Sequence, residues 1–439
     1  MRVSELFTRT LRDAPADADL VSHQLAIRAG LVRPAAAGIY AIMPLGWRVI
    51  RNIARVLREE MDAVGGQELV MPVVQPAEIW QASGRWDVFG PVLQKFASDA
   101  GREFALAPTH EDMVAYLAAR EIASYKQLPQ VIYQIQTKYR NEPRPRGGLI
   151  RLREFTMKDA YSLHRDADDL ARVYEEMVRA YWRVFERVGI EAVAVEADNG
   201  AMGGSGSHEF VLRHAQGEAL FAACDTCDYR ANSEAAAFVL DQPEIGALQP
   251  VEKVATPDCK TIEDVAAYVG VPRRQTLKAV FFVHERPESS RFVFVVIRGD
   301  LEVNEVKLIN ALGGGELRAA TDDEIRATGA VPGYASPLGL DPGVLVVADQ
   351  SVRAGANFVV GANDEGYHLT GVNVPRDFDP AHVADIAEAY EGRAVPAARR
   401  GICTWSGRSS WGTVSSLARA TPRQSARPIW TRTGRPARS

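Results

Sequence analysis

Val131-Ile132-Tyr133-Gln134-Ile135-Gln136-Thr137-Lys138-Tyr139-Arg140-Asn141-Glu142 begins as a strand, and the run that follows it decides the fold. A period of two places Gln134, Gln136, Lys138, Arg140 and Glu142 on one face, with Val131, Tyr133, Ile135 and Tyr139 on the other. Pro143-Arg144-Pro145-Arg146-Gly147-Gly148 has the residues of a loop, and on the return run Arg151, Arg153, Phe155 and Met157 share a face. A hairpin therefore gathers Arg140, Glu142, Arg151 or Arg153, and Phe155 on one surface. That set suits a nucleoside triphosphate: guanidinium forks grip phosphate oxygens, a carboxylate accepts from an adenine amine, and a phenyl ring stacks on a base. The same spacing fits a solvated strand face of alternating charge, and spacing alone leaves both readings open.

Outward from the hairpin, residues 47 to 64 carry apolar side chains three and four apart (Ile50, Ile53, Val56, Leu57, Met61, Val64), a helix stopped by Gly65-Gly66. A short strand is expected at Glu68-Leu69-Val70-Met71, ending at Pro72. Leu170, Val173, Met177, Tyr181, Val184 and Val188 predict a second helix closed by Gly189. Past about Asp225 the rhythm changes. Strand-like runs at Ala279 to Val283, Phe292 to Ile297, Val344 to Val347 and Phe358 to Val360 alternate with helical stretches at Ile262 to Val269, Asn304 to Leu312 and Asp322 to Ala327. That alternation predicts a second, mixed α/β domain.

The chain of 439 residues has 51 basic and 56 acidic groups, but the balance is uneven along it. Residues 392–439 hold ten arginines, no lysine and no acid, which leaves 41 basic against 56 acidic groups before them. The composition is that of an ordinary soluble globular protein, long enough for two or three domains. No apolar run approaches the roughly 18 residues of a membrane helix. Asp13, Asp17 and Asp19 do not fit a signal peptide, and four cysteines make no disulfide scaffold, so a cytoplasmic protein without membrane partners is expected. Neither G-x-x-x-x-G-K-S/T nor a G-x-G-x-x-G after a strand is present, so a bound nucleotide must be held by side chains.

Arg140-x-Glu142, a loop, and Arg151-Leu152-Arg153-Glu154-Phe155 resemble motif 2 of class II aminoacyl-tRNA synthetases. The flanks resemble the bacterial-type prolyl-tRNA synthetases: Tyr139-Arg140-Asn141-Glu142, Phe155-Thr156-Met157-Lys158-Asp159-Ala160-Tyr161-Ser162, Pro108-Thr109-His110-Glu111 and Ser207-His208-Glu209-Phe210. Pro44-Leu45-Gly46 and Ser83-Gly84-Arg85-Trp86 extend the likeness, which runs from Ser4 to about Glu391. The resemblance implies an α+β fold, a class II antiparallel sheet flanked by helices, with the helix at 47 to 64 as motif 1 at a homodimer interface. It implies activation of proline by ATP with Mg²⁺ and transfer of the prolyl group to tRNA(Pro). Arg140 would hold the α-phosphate, Glu142 the adenine amine, and Phe155 would stack on the base, with Arg151 and Arg153 beside them. Thr109 and Glu111 would meet the proline ammonium, Gly204, Ser205 and Gly206 would leave room for its ring, and His208 joins that substrate-binding set. From the residues alone, Thr109 and Glu111 also read as a helix N-terminus with Thr109 as its cap.

Residues 225–391 resemble the editing domain that these enzymes carry as an insertion into the core at 1–224. The likeness rests on Gln275-Thr276-Leu277-Lys278, Arg298-Gly299-Asp300, Asn304-Glu305-Val306-Lys307, and Gly361-Ala362-Asn363 with His368. By resemblance this domain hydrolyses mischarged alanyl-tRNA(Pro). Lys278 would contact the terminal phosphate of tRNA, and His368 and Asp349 would shape the pocket. Each of the three also has a plain structural reading: a lysine at a strand edge, a loop histidine, an acid before a turn. Cys224-Asp225-Thr226-Cys227 lacks a second cysteine pair, so no zinc or other metal site is expected.

The family's motif 3 and anticodon-binding domain would follow the insert, and neither is read in 392–439. An out-of-frame, disordered or RNA-binding tail is the expectation there, and with it a synthetase impaired by the missing part. The alternatives are an editing-only deacylase and a non-catalytic, synthetase-like dimeric binding protein.

Overall fold

The computed structural model describes residues 2–16, 18, 20–198, 207–214, 217, 219–224, 227–240, 246–286 and 289–389, with backbone strands at 395–396, 402–403 and 412–420. Gly204, Ser205, Gly206 and most of the arginine-rich tail lie outside the described residues. Two compact units make up the chain: Met1–Val193 with Phe210–Gln216 and Ser415–Ser439, and Ala194–Glu209 with Gly217–Val414.

The first unit is organised by the antiparallel pair Gln130–Tyr139 and Glu154–Leu163, in register from Gln130 opposite Leu163 to Tyr139 opposite Glu154. The strand expected at 68–71 shrinks to Gln67–Glu68, parallel to Ile132 and Tyr133. Beyond it, side chains replace the ladder: the Met71 amide donates to Gln134 Oε1 at 3.1 Å and its carbonyl accepts from Gln136 Nε2 at 3.1 Å.

The helix Pro44–Ala63 starts earlier than periodicity predicts, because Pro44 occupies the first turn, where its missing N–H costs nothing. The helix Ala167–Val188 is capped by Asp166, which accepts from the Asp169 amide, and closed by Gly189 at φ 75°. Glu60 joins the two helices, accepting from Arg183 Nε at 2.5 Å and Arg187 Nη1 at 2.7 Å. On the first helix Trp47, Val49 and Ile53 remain 41–50% exposed.

In the second unit a five-stranded mixed sheet runs in the order Glu316–Ala319, Leu277–Arg286, Ser289–Arg298, Leu345–Asp349, His382–Ala384. Its central strand is buried on both faces, as a sheet covered from two sides requires: Phe294 and Val296 pack on one side, Val293 and Val295 on the other. A second sheet contains Glu252–Ala255, Tyr367–Val372 and Phe358–Gly361. Thr261, Asn304 and Thr321 cap the helices Ile262–Val269, Glu305–Ala311 and Asp322–Ala327, so the expected helical segments appear with Asn304 as a cap rather than a first residue. Gly412, Thr413 and Val414 pair with Phe221, Leu220 and Ala219.

Candidate active site

The hairpin mouth brings the predicted residues together in the first unit. Arg140 leaves the strand with its amide bonded to the Arg153 carbonyl at 2.8 Å. Its Nε donates to the Pro108 carbonyl at 3.3 Å, and its guanidinium carbon lies 5.4 Å from the centre of the Phe155 ring. Burial lowers the proton affinity of Arg140, opposed by Glu111 and Glu142, though a guanidinium stays charged throughout. Glu142 accepts from Arg151 Nε at 3.0 Å through Oε2 and from the Arg144 amide at 3.2 Å through Oε1. Burial works against its charge, but the Arg144 amide and the Arg151 guanidinium outweigh it and hold the carboxyl below its ordinary range.

Arg151 and Arg153 precede the return strand, which starts at Glu154. Arg151 closes the loop by bridging to Arg146, and Arg153 donates from Nε to the Glu142 carbonyl at 3.0 Å. Gly38 sets the seat of this loop. Its φ is +73°, and a Cβ there would stand 2.6 Å from Pro145 Cβ.

The polar face of the outgoing strand is not a solvated one. Gln134 and Lys138 are both 0% exposed. Asp159, on the partner strand, satisfies them: Lys138 Nζ donates to Oδ1 at 2.8 Å, Gln134 Nε2 to Oδ2 at 2.9 Å, and the Tyr161 hydroxyl to Oδ2 at 2.5 Å. Burial lowers the Lys138 pKa, with the bond to Asp159 opposing. A buried ammonium on three-way-shared carboxylate geometry is the usual way such a charge is tolerated. Asp159 and Tyr161 continue the face of Phe155 and Met157, a period-two signal that extends the predicted face by two residues.

Thr109 and Glu111 sit at the start of the helix Glu111–Glu121. The N-terminal helix reading is correct in place, but Thr109 is not its cap: His110 occupies that position with no side-chain cap bond, and the Thr109 hydroxyl donates to Glu111 Oε2. His110 is fully buried with Nε2 on the Pro72 carbonyl at 3.0 Å, and burial, then Lys138, lowers its pKa. Pro108 thus meets Arg140 through its carbonyl, and the charge of Glu111 acts on both Arg140 and Tyr161.

A separate cavity of about 130 Å³ lies in the second unit, and Lys278 and His368 are in its wall, with Lys260, Thr276 and Gly361. Lys278 Nζ donates to the Leu301 carbonyl at 3.1 Å and to Glu302 Oε1 at 2.5 Å. His368 Nδ1 shares a 2.6 Å hydrogen bond with the Thr256 hydroxyl, and burial lowers its pKa, which favours the neutral ring. Asp349 stands apart from that wall. Fully buried, it accepts from the Ser351 amide at 2.8 Å and the Ile386 amide at 3.0 Å, capping the turn after its strand. Gly361 permits the wall to close, since a Cβ there would stand 2.1 Å from the Tyr334 carbonyl. Lys260, Thr256 and Tyr334 were not singled out by sequence reasoning, which had no motif to mark them.

His208 is half-buried in the strand Ser207–Arg213, whose first three residues belong to the second unit and the rest to the first. Cys224, Cys227 and Cys259 are free thiols, and among the described residues no group of three His, Cys, Asp or Glu side chains is placed to hold a metal. Among the described residues no helix is long and apolar enough to cross a membrane.

Two families match the chain: the class II tRNA synthetase core domain (G, H, P, S and T) over residues 94–311 and the aminoacyl-tRNA editing domain over residues 256–378. A proline–tRNA ligase of Dehalococcoides mccartyi is 48% identical over 408 residues, which is 92% of this chain and 71% of that protein. One from Pelotomaculum thermopropionicum is 48% identical over 406 residues, 92% of this chain and 70% of its own length. The solved prolyl-tRNA synthetase of Giardia lamblia, in complex with prolyl-adenylate, overlaps 43% of this chain and 40% of its own at 23% identity, with a TM-score of 0.41.

Proposed function

Because the chain belongs to the proline–tRNA ligases, with a class II synthetase core and an editing domain, we propose that the hairpin and the 108–111 loop form its proline-activating site. In this reading Arg140 holds the α-phosphate of ATP, Glu142 accepts from the adenine amine, and Phe155 stacks on the base, with Arg151 and Arg153 fixing the loop around the phosphates. Thr109 and Glu111 take the proline ammonium, and Gly204, Ser205, Gly206 and His208 belong to the same set by their motif. A carboxylate oxygen of proline attacks the α-phosphorus, the bond to the β-phosphate breaks, and pyrophosphate leaves. A terminal ribose hydroxyl of tRNA(Pro) then attacks the prolyl carbonyl and releases AMP. Neither step needs a strong base, so aligned donors supply most of the acceleration.

One observation carries the reading. Arg140 reaches Phe155 through its guanidinium and the Pro108 carbonyl through its Nε, so a single side chain joins the nucleotide face to the loop that bears Thr109 and Glu111. Mg²⁺ enters with ATP, because that ion keeps its waters and is usually bound through substrate phosphates. The core comprises residues 1–224 and the editing domain 225–391. The exposed Trp47, Val49 and Ile53 of the helix Pro44–Ala63 support a homodimer contact there, and the protein works in the cytoplasm.

Editing has a physical rationale, since a pocket sized for proline excludes alanine only by missing methylenes, worth roughly 10- to 200-fold each. Lys278 contacts the terminal phosphate of alanyl-tRNA(Pro) and His368 shapes the cavity, while Asp349 caps the turn after its own strand rather than forming the wall. The test is ATP–pyrophosphate exchange with the full chain. Exchange that saturates with proline is expected, and a rate no higher with proline than without it overturns the reading.

A further inference from the structure

His368 is 5% exposed, and its ring forms part of the wall of the second unit's cavity. It stands on the strand Tyr367–Val372 opposite Val254 of the strand Glu252–Ala255, and Thr256 follows that strand directly. Tyr334 flanks the imidazole, with ring centres 5.6 Å apart. Thr256 takes Nδ1 at 2.6 Å. Nε2 has no hydrogen-bond partner among the described residues and is not sealed from solvent, so it is the ring atom presented to the cavity.

A neutral imidazole carries one proton, and the Thr256 hydroxyl decides which nitrogen holds it. That hydroxyl belongs to a fully buried side chain, so its hydrogen needs an acceptor within the protein. Two acceptors are near: Nδ1 at 2.6 Å and the Gly366 carbonyl at 3.4 Å. The second distance exceeds the roughly 2.5–3.0 Å of an O–H···O bond. The Gly366 carbonyl, moreover, already accepts from the Thr256 amide at 2.7 Å. The hydroxyl therefore donates to Nδ1, and the ring proton sits on Nε2.

We propose that His368 is a catalytic residue that acts as a hydrogen-bond donor rather than a base, presenting Nε2–H to the acyl carbonyl oxygen of the mischarged ester, and that Thr256 is the positioning residue that fixes this tautomer. The proposal rests on the cavity being the site of alanyl-tRNA(Pro) deacylation. Water attacks the acyl carbon and negative charge gathers on the carbonyl oxygen, where a preorganised N–H stabilises it. The ester bond then breaks toward the terminal ribose oxygen, which takes one proton of the water, and the released carboxylic acid loses the other. A neutral ring whose proton is already on Nε2 has no lone pair there to accept one from that water. Burial lowers the His368 pKa, so the ring stays uncharged and Thr256 keeps control of its single proton. Lys278, in the same wall, carries the charge that suits a phosphate, and the neutral N–H suits a carbonyl.

Nitrogen chemical shifts of the full chain labelled with ¹⁵N-histidine read the tautomer directly, and His368 is assigned by the signal that vanishes in His368→Gln. Nε2 should appear protonated and Nδ1 bare; the reverse pattern overturns the proposal. Thr256→Val removes the donor at nearly the same shape, so protonated Nδ1 should enter the spectrum and deacylation of alanyl-tRNA(Pro) should fall, while Thr256→Ser restores both. A spectrum unchanged in Thr256→Val overturns the role of Thr256.

Deacylation kinetics test the donor itself. His368→Leu should slow the reaction about 10²- to 10³-fold, the weight of one preorganised donor, and His368→Gln, whose amide offers an N–H and no base, should recover about tenfold or more of that loss. Glutamine as slow as leucine overturns the donor role, and the Thr256 variants carry the test where a His368 variant fails to fold. A wild-type chain that leaves alanyl-tRNA(Pro) intact would instead refute the deacylation site, whatever the tautomer.

Discussion

Replacing Arg140 by lysine keeps the charge and removes the fork, which makes it the sharpest probe of the nucleotide side. In the structure three features depend on the planar guanidinium: the Nε bond to the Pro108 carbonyl at 3.3 Å, the placement 5.4 Å from the Phe155 ring, and the donors left over for phosphate. A lysine ammonium cannot serve the Pro108 carbonyl and a phosphate oxygen in the same geometry. Loss of one preorganised donor at the reacting phosphate costs about 2.7–4 kcal/mol, so kcat for proline-dependent exchange should fall about 10²- to 10³-fold. The ground-state loss is smaller. The Pro108 bond is one hydrogen bond worth about 1 kcal/mol, which moves the melting temperature by roughly 2–4 °C in a unit of this size. Steady-state exchange at saturating proline, with ATP varied and melting curves alongside, separates the two effects. Exchange within about threefold of wild type, far short of a lost donor, would refute the assignment of Arg140 to the phosphate.

The remaining expectations concern the second unit and the helix pair. Lys278→Ala should weaken deacylation of alanyl-tRNA(Pro) and leave adenylate formation alone; equal deacylation in the variant sinks the assignment. Gly361→Ala places a Cβ 2.1 Å from the Tyr334 carbonyl, so overpacking should cost about 1–3 kcal/mol by calorimetry and impair deacylation more than exchange. Glu60→Gln breaks the clamp on Arg183 and Arg187. These arginines are 44% and 35% exposed, so the cost should be about 1–2 kcal/mol rather than the 3–5 of a fully buried pair. The Arg183 bond, opposed by burial and aided by Arg187, lowers the Glu60 pKa. Its stabilisation is therefore present above the ordinary carboxylate range of about 4.3 and lost as pH falls through the lower folded-state value. The melting-temperature gap between wild type and Glu60→Gln should close in acid, and a gap constant from neutral pH to pH 3 contradicts the clamp.

Much of the fold is legible where local rules and tertiary structure agree. Asp166 and Gly189 bracket the helix Ala167–Val188, and Thr261, Asn304 and Thr321 announce the second unit's helices. The hairpin and its residue set are legible as well. What periodicity cannot show is whether a polar face is wet. Spacing lets Gln134 and Lys138 fit a solvated stripe as well as a binding face, and only the register of Gln134 opposite Asp159 turns them into a buried network. The strand expected at 68–71 fails for a related reason, because Met71 is held by glutamine side chains that lie over sixty residues away. Asp349 shows the converse: the family resemblance implies a pocket role, while its hydrogen bonds show a cap.

The cations proposed to meet phosphate and nucleotide already have carboxylate partners of their own, and the spare capacity on both sides decides whether that pairing blocks a ligand. Glu142 has about four lone-pair sites, of which Arg151 and the Arg144 amide engage two, so an adenine amine can be accepted without releasing Arg151. Lys278 has three N–H donors. The Leu301 carbonyl and Glu302 take two among the described residues, and one is left for a phosphate oxygen. Pairing of this kind fixes a long side chain's rotamer before the ligand arrives, so less entropy is lost on binding. It also matters for a chain whose first 391 residues carry fifteen more acids than bases, where the average field repels RNA. In such a body a cation held in place by its own carboxylate contributes more through direction than through net charge. The order of the two sites, rather than a basic surface, is then what recognises an anionic substrate.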